Sequence, residues 1–577
     1  MLGHRRLTIR PEPPTTDGRT TADAVGPAGA ARATEAAGAT GSASAAARRL
    51  PRPSLIALVL AGGSILGLAL RLYQLSRPGY LLGVTEYDDG VYFGSAVQLL
   101  HGKLPYRDYI IVHPPGITLL MTPVALLSFS LGTAKSLAVA RVLMAYVGAA
   151  SVPLGGLVVR HRGVFATTVT CGILAVFPDA IAASHTVLLE PWLVLFCLIG
   201  ALAVFDGDRL AALPERRRAL WRSRIALGGV AFGFAGAVKV WAVLPALVIA
   251  ALCLPAARRA LTFAGGVAAG FLVPVLPFAA TAPRTFFDSV IVAQVVRFDA
   301  SRTSLWARLS ALSGVTDFSG VGHSTLMLIA LAIPAVVIGC SAAASLATRR
   351  PPPPLELFVS ISAVLVAGSF LWPDDFSYHY GGFFAPFLAL ALGLTFGRCI
   401  ASLPPFDGSR WQTGVICLVV VAIAWMSFIQ ARAESGSWQG DPAAAADRVI
   451  PPGACVLTDM VSLTVAADRI VSDVPDCPLI LDGVGTDYSL SHGRNGVVGA
   501  GESPAVEATW LSAFEHAQYV WLSCVPAASP LCYGSTNRRI PWTPTITGYF
   551  ESHFKQVTTP GAPAGIFERD SDAPPSR

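Results

Sequence analysis

Residues 216–259 read RRRALWRSRIALGGVAFGFAGAVKVWAVLPALVIAALCLPAARR. Arginines border this stretch on both sides, and the only charged residue between them is Lys239. The two apolar runs, at 225–238 and 241–256, are each typical of a helix that enters a membrane, with Lys239 at the tip between them. Because both runs are short for a span of about 20 residues, we expect a tight helical hairpin.

The rest of the chain repeats this pattern of apolar runs bordered by arginine. Of its 577 residues, 53% are hydrophobic and 14% are charged, whereas a soluble globular chain carries about 25% charged residues. The composition therefore predicts an α-helical polytopic membrane protein. Its net charge of +6 comes from arginines beside apolar runs, which indicates membrane topology rather than nucleic-acid binding. Eleven transmembrane helices are predicted, at 54–74, 136–159, 164–183, 188–206, 225–238, 241–256, 260–281, 323–347, 355–372, 383–399 and 412–431.

The distribution of lysine and arginine predicts which side of the membrane each loop faces. The tail before the first span holds eight arginines and the loop 206–224 holds six, whereas the loops 184–187 and 373–382 hold neither lysine nor arginine. Since basic loops stay in the cytoplasm, we expect a multi-pass plasma membrane protein with a cytoplasmic N-terminus and with residues from about 432 outside. Counting the apolar run Ile117–Leu131 as a span would reverse this alternation, so we expect it to be a juxtamembrane or re-entrant helix.

Two regions flank the predicted transmembrane region, residues 53–431. Residues 1–52 have few large apolar side chains, so we expect a disordered cytoplasmic tail. Residues 432–577 are predicted to form a small extracytoplasmic α/β domain. Strands are expected at 455-CVLTD-459 and 479-LILDG-483, and a helix at Pro504–His516 is expected to precede a third strand at 518-QYVWLSC-524.

Four cysteines lie in this C-terminal part, at Cys455, Cys477, Cys524 and Cys532. An exported domain with four cysteines favours two disulfides, for which three pairings are possible. Pairing of sequence neighbours is our expectation, and four free thiols are the alternative.

The densest polar cluster lies in the first predicted outer loop, about residues 75–135. It reads 86-EYDDGVYFGSAVQLLHGKLPYRDYIIVHPPG-116. Two adjacent carboxylates at a membrane surface are costly to desolvate together, so one of Asp88 and Asp89 is expected to have a raised pKa, which suits a general base. A solvated acidic turn is the alternative interpretation.

The segment Asp88-Asp89-Gly90-Val91-Tyr92 resembles the acidic-acidic-x-x-Tyr signature of GT-C glycosyltransferases. These include the protein O-mannosyltransferase and aminoarabinose-transferase-like enzymes, which use dolichyl- or polyprenyl-phosphate sugars. Gly102, the Pro114-Pro115 pair and Arg141 fit the same pattern, and the resemblance covers roughly residues 54–431.

The resemblance implies a polyprenyl-phosphate sugar as donor and a cell-envelope glycan, lipid or protein as acceptor. Asp88 would remove the proton of the acceptor hydroxyl, and inversion at the anomeric carbon would follow. No cofactor is implied, although paired acids can hold a divalent cation. Cationic candidates for the leaving phosphate are Lys103, Arg107, His113 and Lys239. Related chains often have lysine where His113 stands, which leaves the role of His113 open.

Four positions admit two interpretations each. Glu190, where related chains often carry Asp, is expected to bind the acceptor or orient a cation, or else to be a solvated acid at a helix start. Lys239 is expected to contact the donor phosphate, or else to snorkel to the interface. Tyr378 and His379 are expected to line an acceptor cleft, or else to belong to an interfacial aromatic belt.

Other classes of function fit parts of the sequence. A transporter or lipid-linked sugar flippase would place ionisable groups near the bilayer midplane and use internal repeats, whereas here the polar residues cluster in outer loops. A non-catalytic assembly protein with an outer binding domain is a third possibility. The Ala-, Gly-, Arg- and Val-rich composition favours a high-GC bacterium, in which decaprenyl-phosphate mannose or arabinose would be a suitable donor for cell-wall biogenesis.

Overall fold

Most of the described chain is helical. The computed structural model describes residues 54–84, 86–215, 217–296, 302–314, 322–374, 376–402, 408–432, 442–494, 499–523, 539–557 and 565–570. The predicted tail at 1–52 and the predicted pair Cys524–Cys532 lie outside these residues.

The helices before residue 433 follow one another with short connections. In chain order they are α1 (Leu55–Leu75), α2 (Tyr87–Leu100), α3 (Gly116–Ala125), α4 (Ser128–Leu131), α5 (Thr133–Val159), α6 (Val164–Val176), α7 (Pro178–Ala182), α8 (Glu190–Val204), α9 (Arg224–Val238), α10 (Val243–Cys253), α11 (Ala257–Ala279), α12 (Pro283–Phe287), α13 (Ala293–Val295), α14 (Leu305–Leu312), α15 (His323–Thr348), α16 (Pro354–Ser369), α17 (Tyr380–Ser402) and α18 (Gly408–Arg432). A two-stranded ribbon, β1 (Phe205–Asp206) and β2 (Arg209–Leu210), follows α8.

Twelve of the described helices are strongly apolar. Six are long and apolar enough to cross a membrane, namely α1, α5, α11, α15, α17 and α18. Six shorter apolar helices accompany them, namely α3, α6, α8, α9, α10 and α16. Each of the eleven predicted spans overlaps one of these helices, and α3 falls within the run at 117–131.

The hairpin predicted around Lys239 is present as α9 and α10. Helix α9 ends at Val238 because Lys239 takes an extended conformation, with φ −150° and ψ 128°. Helix α9 also packs closely on α11, since a Cβ on Gly229 would lie 3.0 Å from the Cα of Gly266. Glycines therefore allow the two backbones to approach each other closely, and this contact fixes the position of the hairpin tip.

Helix α2 lies within residues 75–135, the loop that the sequence predicts to face outward. Glu86 precedes this helix in an extended conformation, and its side chain accepts a hydrogen bond from Tyr87 N at 2.9 Å. Asp88 and Asp89 follow in the first turn, where negative charge is favoured by the helix dipole. The acidic motif therefore forms the N-terminus of a helix.

Beyond residue 441, helices surround a small sheet. In chain order the elements are α19 (Pro442–Asp447), β3 (Val456–Thr458), α20 (Val461–Ala466), α21 (Gly483–Leu490), α22 (Pro504–His516), β4 (Tyr519–Leu522), α23 (Pro544–His553), β5 (Phe554–Gln556) and β6 (Gly565–Arg569). The strand order is β3-β4-β6-β5, with β3 and β4 parallel and the other pairs antiparallel.

The C-terminal elements agree with the sequence at four places and differ at one. Strands β3 and β4 and helix α22 lie where the sequence predicts them, and the predicted disulfide between Cys455 and Cys477 is confirmed. The strand predicted at 479–483 is wrong. Asp482 ends this stretch by accepting a hydrogen bond from Gly485 N at 2.7 Å, and that bond caps α21 instead.

The C-terminal elements pack directly on the first outer loop. The amide of Gly90 donates to Ser462 Oγ at 3.1 Å, and Gln98 Nε2 donates to the carbonyl of Ile470 at 2.9 Å. On the far side of α3, Thr133 Oγ1 donates to the side chain of Asp468 at 3.0 Å. The segment 461–470 is therefore held at both ends of the first loop.

Candidate active site

Asp89 is fully buried and held on several sides. The guanidinium of Arg141, on α5, forms an ion pair with its Oδ2, which also accepts a hydrogen bond from Thr186 Oγ1 at 2.7 Å. Its Oδ1 accepts from Ser462 Oγ at 2.8 Å. With both oxygens engaged by protein groups, Asp89 joins α2, α5 and the C-terminal elements.

Arg141 also fixes the chain that leads into α2. Its Nη1 donates to the carbonyls of Tyr80, Leu81 and Gly83 at 2.8–3.0 Å. The same buried guanidinium therefore holds both the end of the segment after α1 and the first turn of α2.

Asp88 points in a different direction from Asp89 and keeps access to solvent. Its side chain is 29% exposed, and its Oδ2 lies 3.8 Å from His379 Nε2. Burial raises the pKa of Asp88 to about 7, the negative charge of Glu86 adds to the rise, and the charge of His379 opposes it. Such a carboxyl is poised to exchange a proton near neutral pH.

Behind Asp88 lies a buried row of charged side chains. His379 Nδ1 lies 3.0 Å from Glu190 Oε1, and the same oxygen lies 2.6 Å from Lys239 Nζ. The exposed fraction is 8% or less for each of these three side chains. In order, the row runs Asp88, His379, Glu190, Lys239, with alternating sign when the histidine is protonated.

Local structure explains how distant segments meet in this row. Glu190 starts α8, with Pro191 just after it, and Lys239 is the residue at which α9 ends. Lys239 Nζ also lies over the rings of Trp241 and Tyr380, at 3.8 and 4.7 Å from their centroids. Since aromatic faces attract cations, these rings help hold the ammonium group in place.

Tyrosines surround the acidic end of the row. Tyr378 donates its hydroxyl to Glu86 Oε2 at 3.0 Å, and Tyr87 donates to Asp482 Oδ1 at 3.1 Å. Tyr92 lies one helical turn after Asp88, and burial raises its pKa well above the ordinary value. Of these groups, Glu86 and Asp482 lie close enough to Asp88 for their negative charges to raise its pKa.

His113 lies beside Tyr92 rather than in the charged row. Its ring centroid is 5.8 Å from that of Tyr92, and its side chain is buried. The Pro-Pro-Gly segment that follows carries α3 against the hairpin, because a Cβ on Gly116 would lie 2.6 Å from the carbonyl carbon of Ala237. His113 is thus placed near the site by the close packing of α3.

Two of the predicted phosphate ligands lie away from Asp88. Lys103 follows α2, a helix of 14 residues, which corresponds to about 21 Å of axial rise. Its side chain lines a polar cavity of about 340 Å³ together with Asp473. Arg107 is exposed and pairs with Asp108 at 2.8 Å. The placement of these two residues gives no support to phosphate binding at Asp88.

An apolar groove lies beside the Lys239 end of the row. Its volume is about 650 Å³ and its walls come from α9, α10 and α11. Gly236 and Val240, on either side of Lys239 in the chain, belong to its lining. The groove therefore adjoins the chain segment that carries Lys239.

Sequence reasoning missed the residues that the C-terminal elements contribute. Ser462 caps the first turn of α2, and Asp482 lies against Tyr87. The negative charge of Asp482 contributes to the raised pKa of Asp88. Asp482 stands before glycine at the end of an apolar stretch, a pattern typical of a helix cap, but nothing local connects it to residue 88.

Metal binding receives no support from the described side chains. Among them, no group of three or more His, Cys, Asp or Glu residues is arranged to hold a metal ion. A divalent cation at the paired acids stays a prediction.

The fold is similar to those of solved structures of ArnT and of the oligosaccharyltransferase AglB. ArnT from Cupriavidus metallidurans in the apo state has a TM-score of 0.54 and 15% identity, over 90% of this chain and 98% of that chain. The same protein bound to undecaprenyl phosphate has a TM-score of 0.53 and 15% identity, over 90% and 99%. The oligosaccharyltransferase AglB from Archaeoglobus fulgidus, in complex with an inhibitory peptide and a dolichol-phosphate, has a TM-score of 0.50 and 13% identity, over 90% and 75%.

A sequence relationship supports the same class. Residues 128–263 match the family described as dolichyl-phosphate-mannose-protein mannosyltransferase. A search of curated proteins found no significant match. The predicted resemblance to GT-C glycosyltransferases is thus confirmed, by the family match over α4 to α11 and by the fold over most of the chain.

Proposed function

We propose that this protein is a glycosyltransferase that moves a sugar from a polyprenyl-phosphate donor to a hydroxyl of an extracytoplasmic glycan, lipid or protein. The observation that carries the proposal is the position of Asp88. It is a partly exposed carboxyl with a pKa near 7, at the end of a buried charged row whose other end adjoins an apolar groove. The family match and the resemblance of the fold to lipid-phosphate-binding proteins support the same reaction.

Asp88 acts as the general base. Its carboxylate removes the proton of the acceptor hydroxyl while the oxygen forms a bond to the anomeric carbon. The bond from that carbon to the donor phosphate breaks, and the electron pair leaves with the polyprenyl phosphate. Attack opposite to the leaving group inverts the anomeric centre.

Asp89 has a positioning role. Its oxygens bind Arg141, Thr186 and Ser462, so it holds the first turn of α2 in place and leaves proton transfer to its neighbour. The proposal therefore narrows the predicted catalytic pair to Asp88.

The donor lipid occupies the apolar groove between α9, α10 and α11. A prenyl chain gains free energy by burying its methyl and methylene groups there, at about 25 cal/mol per Å². Lys239 lies next to the groove, and Glu190 engages one of its three donors. We assign the donor phosphate to this cation.

Acceptor recognition falls to Glu86 and the exposed Tyr378, which are hydrogen-bonded to each other. A carboxylate and a tyrosine hydroxyl offer an acceptor and a donor to a polyhydroxyl substrate. Tyr92 and His379 are both buried, so neither is assigned to direct contact with the acceptor.

Eleven spans and an exterior C-terminal α/β domain complete the proposal. Gln98 and Thr133, before and after α3, both contact the segment 468–470, which supports placing α3 on one side of the membrane. Ten spans then separate α2 from α19, an even number that keeps both on the same side. Under the positive-inside rule that side is the exterior.

The proposed reaction is tested by sugar transfer. Purified protein is incubated with radiolabelled polyprenyl-phosphate sugars, mannose and arabinose among them, and with membrane extract as the source of acceptor. We expect transfer by the wild type and none by Asp88→Asn, whereas Asp108→Asn in the same loop retains transfer. A wild type that transfers no sugar from any donor would contradict the proposal, and lipid translocation by that protein would favour a flippase.

The groove is tested separately by filling it. Ala268 is an exposed residue of α11 that lines the groove, so Ala268→Phe occupies its volume without disturbing buried packing. We expect a raised KM for the lipid donor and an unchanged KM for the acceptor. Leu261→Phe, on an exposed position of the same helix outside the groove lining, serves as the control. Equal KM values for the lipid donor in both variants would contradict binding of the donor lipid in this groove.

A further inference from the structure

We propose that His379 is a positioning residue that acts through Asp88, as an imidazolium held between the carboxylates of Asp88 and Glu190. In this role it keeps Asp88 ionised until the acceptor hydroxyl delivers its proton. The inference rests on the proposed function and assigns His379 to the acid–base step rather than to the acceptor cleft that the sequence suggested.

Both ring nitrogens of His379 face a carboxylate. Nδ1 lies 3.0 Å from Glu190 Oε1, and Nε2 lies 3.8 Å from Asp88 Oδ2. Both distances are within ion-pair range, and only the protonated ring carries the positive charge that such pairs need. The distance of 3.8 Å from His379 Nε2 leaves Asp88 able to accept a hydrogen bond from a substrate hydroxyl. At that distance the carboxylate is still stabilised by the positive charge of His379.

Charge balance also favours the imidazolium. Lys239 and Glu190 cancel each other in the buried row, so a neutral His379 would leave the charge of Asp88 without a partner in the row. With the ring protonated, the four groups sum to zero and each has a neighbour of opposite sign. Buried charges are retained when they are paired in this way.

The orientation of the ring is fixed by its neighbours in the chain. Tyr378 and Tyr380 contact it edge to face, with interplanar angles of 87° in each case and centroid distances of 5.4 and 4.9 Å. These contacts restrict the ring to an orientation in which one nitrogen lies near Asp88 and the other near Glu190.

The groups around Asp88 set its proton affinity in opposite directions. Glu86, at the start of α2, and Asp482, from the C-terminal elements, favour the protonated acid, whereas His379 and Lys239 favour the carboxylate. Tyr87 and Tyr92 are neutral at physiological pH because burial raises the pKa of each. Loss of His379 removes one of the two cations that favour the carboxylate and leaves both acids in place. The pKa of Asp88 should therefore rise.

Proton and electron balance are those of the proposed transfer. The hydroxyl proton goes to Asp88, the acceptor oxygen bonds to the anomeric carbon, and the phosphate leaves with the electron pair. The partly exposed Asp88 then releases the proton to water, which the positive charge of His379 promotes. His379 keeps its own proton throughout.

The test compares the dependence of kcat/KM on pH for His379→Gln, His379→Lys and His101→Gln. A positive charge 3.8 Å from a carboxyl lowers the carboxyl pKa by about one unit or more. His379→Gln should therefore shift the acid limb of the pH profile to higher pH by at least that amount. Transfer at pH 7 should then fall about fivefold or more and recover at higher pH. His379→Lys keeps a cation and should leave the limb at or below its wild-type position. His101 lies at the far end of α2, and His101→Gln should match the wild type.

A structural role for His379 predicts a different result. It would lower kcat/KM equally at every pH, and that outcome, or an unshifted limb in His379→Gln, overturns the inference. If His379→Gln fails to fold, the test rests on His379→Lys. An acid limb that moves to higher pH in His379→Lys would also overturn the inference.

A second readout does not depend on transfer. Carbodiimide modifies protonated carboxyls, and mass spectrometry gives the pH midpoint for Asp88 in each variant. A midpoint raised by His379→Gln in a protein that transfers no sugar would sustain the role of His379 and refute the proposed function. If His379→Gln leaves the midpoint of Asp88 unchanged in an enzyme that transfers sugar, the role of His379 is refuted and the proposed function is sustained.

Discussion

The ion pair between Arg141 and Asp89 is the contact on which the geometry of the site should depend most. Arg141→Met keeps most of the aliphatic volume of the side chain and removes the guanidinium. The change leaves a buried carboxylate without its cation and leaves three backbone carbonyls, at residues 80, 81 and 83, without their shared donor.

The magnitude follows from burial. Both side chains of the pair are 0% exposed, and removing one partner of a buried ion pair costs about 3–5 kcal/mol. Since whole domains are stable by about 5–15 kcal/mol, this is a large fraction of the total. Transfer should be lost as well, because the first turn of α2 carries Asp88.

The assay is chemical unfolding in detergent, with Arg107→Met as the matched control. Arg107 forms an exposed pair with Asp108, so its removal should leave unfolding unchanged. The double variant Arg141→Met with Asp89→Leu should regain part of the lost stability, because no carboxylate is then left buried. If Arg141→Met unfolds at the same denaturant concentration as Arg107→Met, the reasoning about this pair is refuted.

Three further predictions concern other contacts. Gly90→Ala would place a Cβ 2.5 Å from the Cα of Ser462, so it should abolish transfer and increase proteolysis of the C-terminal elements, and normal transfer would contradict this. Cys455→Ser opens a loop of 22 residues and should lower the free energy of unfolding of the C-terminal elements by about 3 kcal/mol. Reductant should then lower the stability of the variant by less than it lowers that of the wild type. Glu356→Ala leaves the buried Arg398 without the carboxylate that lies 3.2 Å from it, and should cost about 3–5 kcal/mol while transfer per folded molecule stays at the wild-type level.

The apolar helices could be predicted because their signal is local. Runs of apolar residues bordered by arginine determine where helices enter a membrane, and the helices lie where these runs are. Asp88 and Asp89 were singled out because adjacent carboxylates are costly to desolvate together, but helix α2, which begins at Tyr87, was not predicted. Glu190 and Lys239 were singled out because charge in apolar surroundings is costly.

Prediction failed where proximity in the chain differs from proximity in space. Lys103 is close to Asp88 in sequence, but α2 separates them by about 21 Å of helical rise. Ser462 and Asp482 are nearly 400 residues away and contact the same helix turn. Neither contact leaves a periodic pattern in the sequence, because each depends on one side chain fitting one backbone position.

The contact between Gly90 and Ser462 has a consequence for biosynthesis. The two residues are 372 positions apart, and at about 5–20 residues per second a ribosome needs roughly 20–75 s to make the intervening chain. During that interval α2 has been inserted without the hydroxyl that caps its first turn. Under the proposed function, a nascent chain should therefore transfer no sugar until the segment that carries Ser462 has been made and has docked on α2.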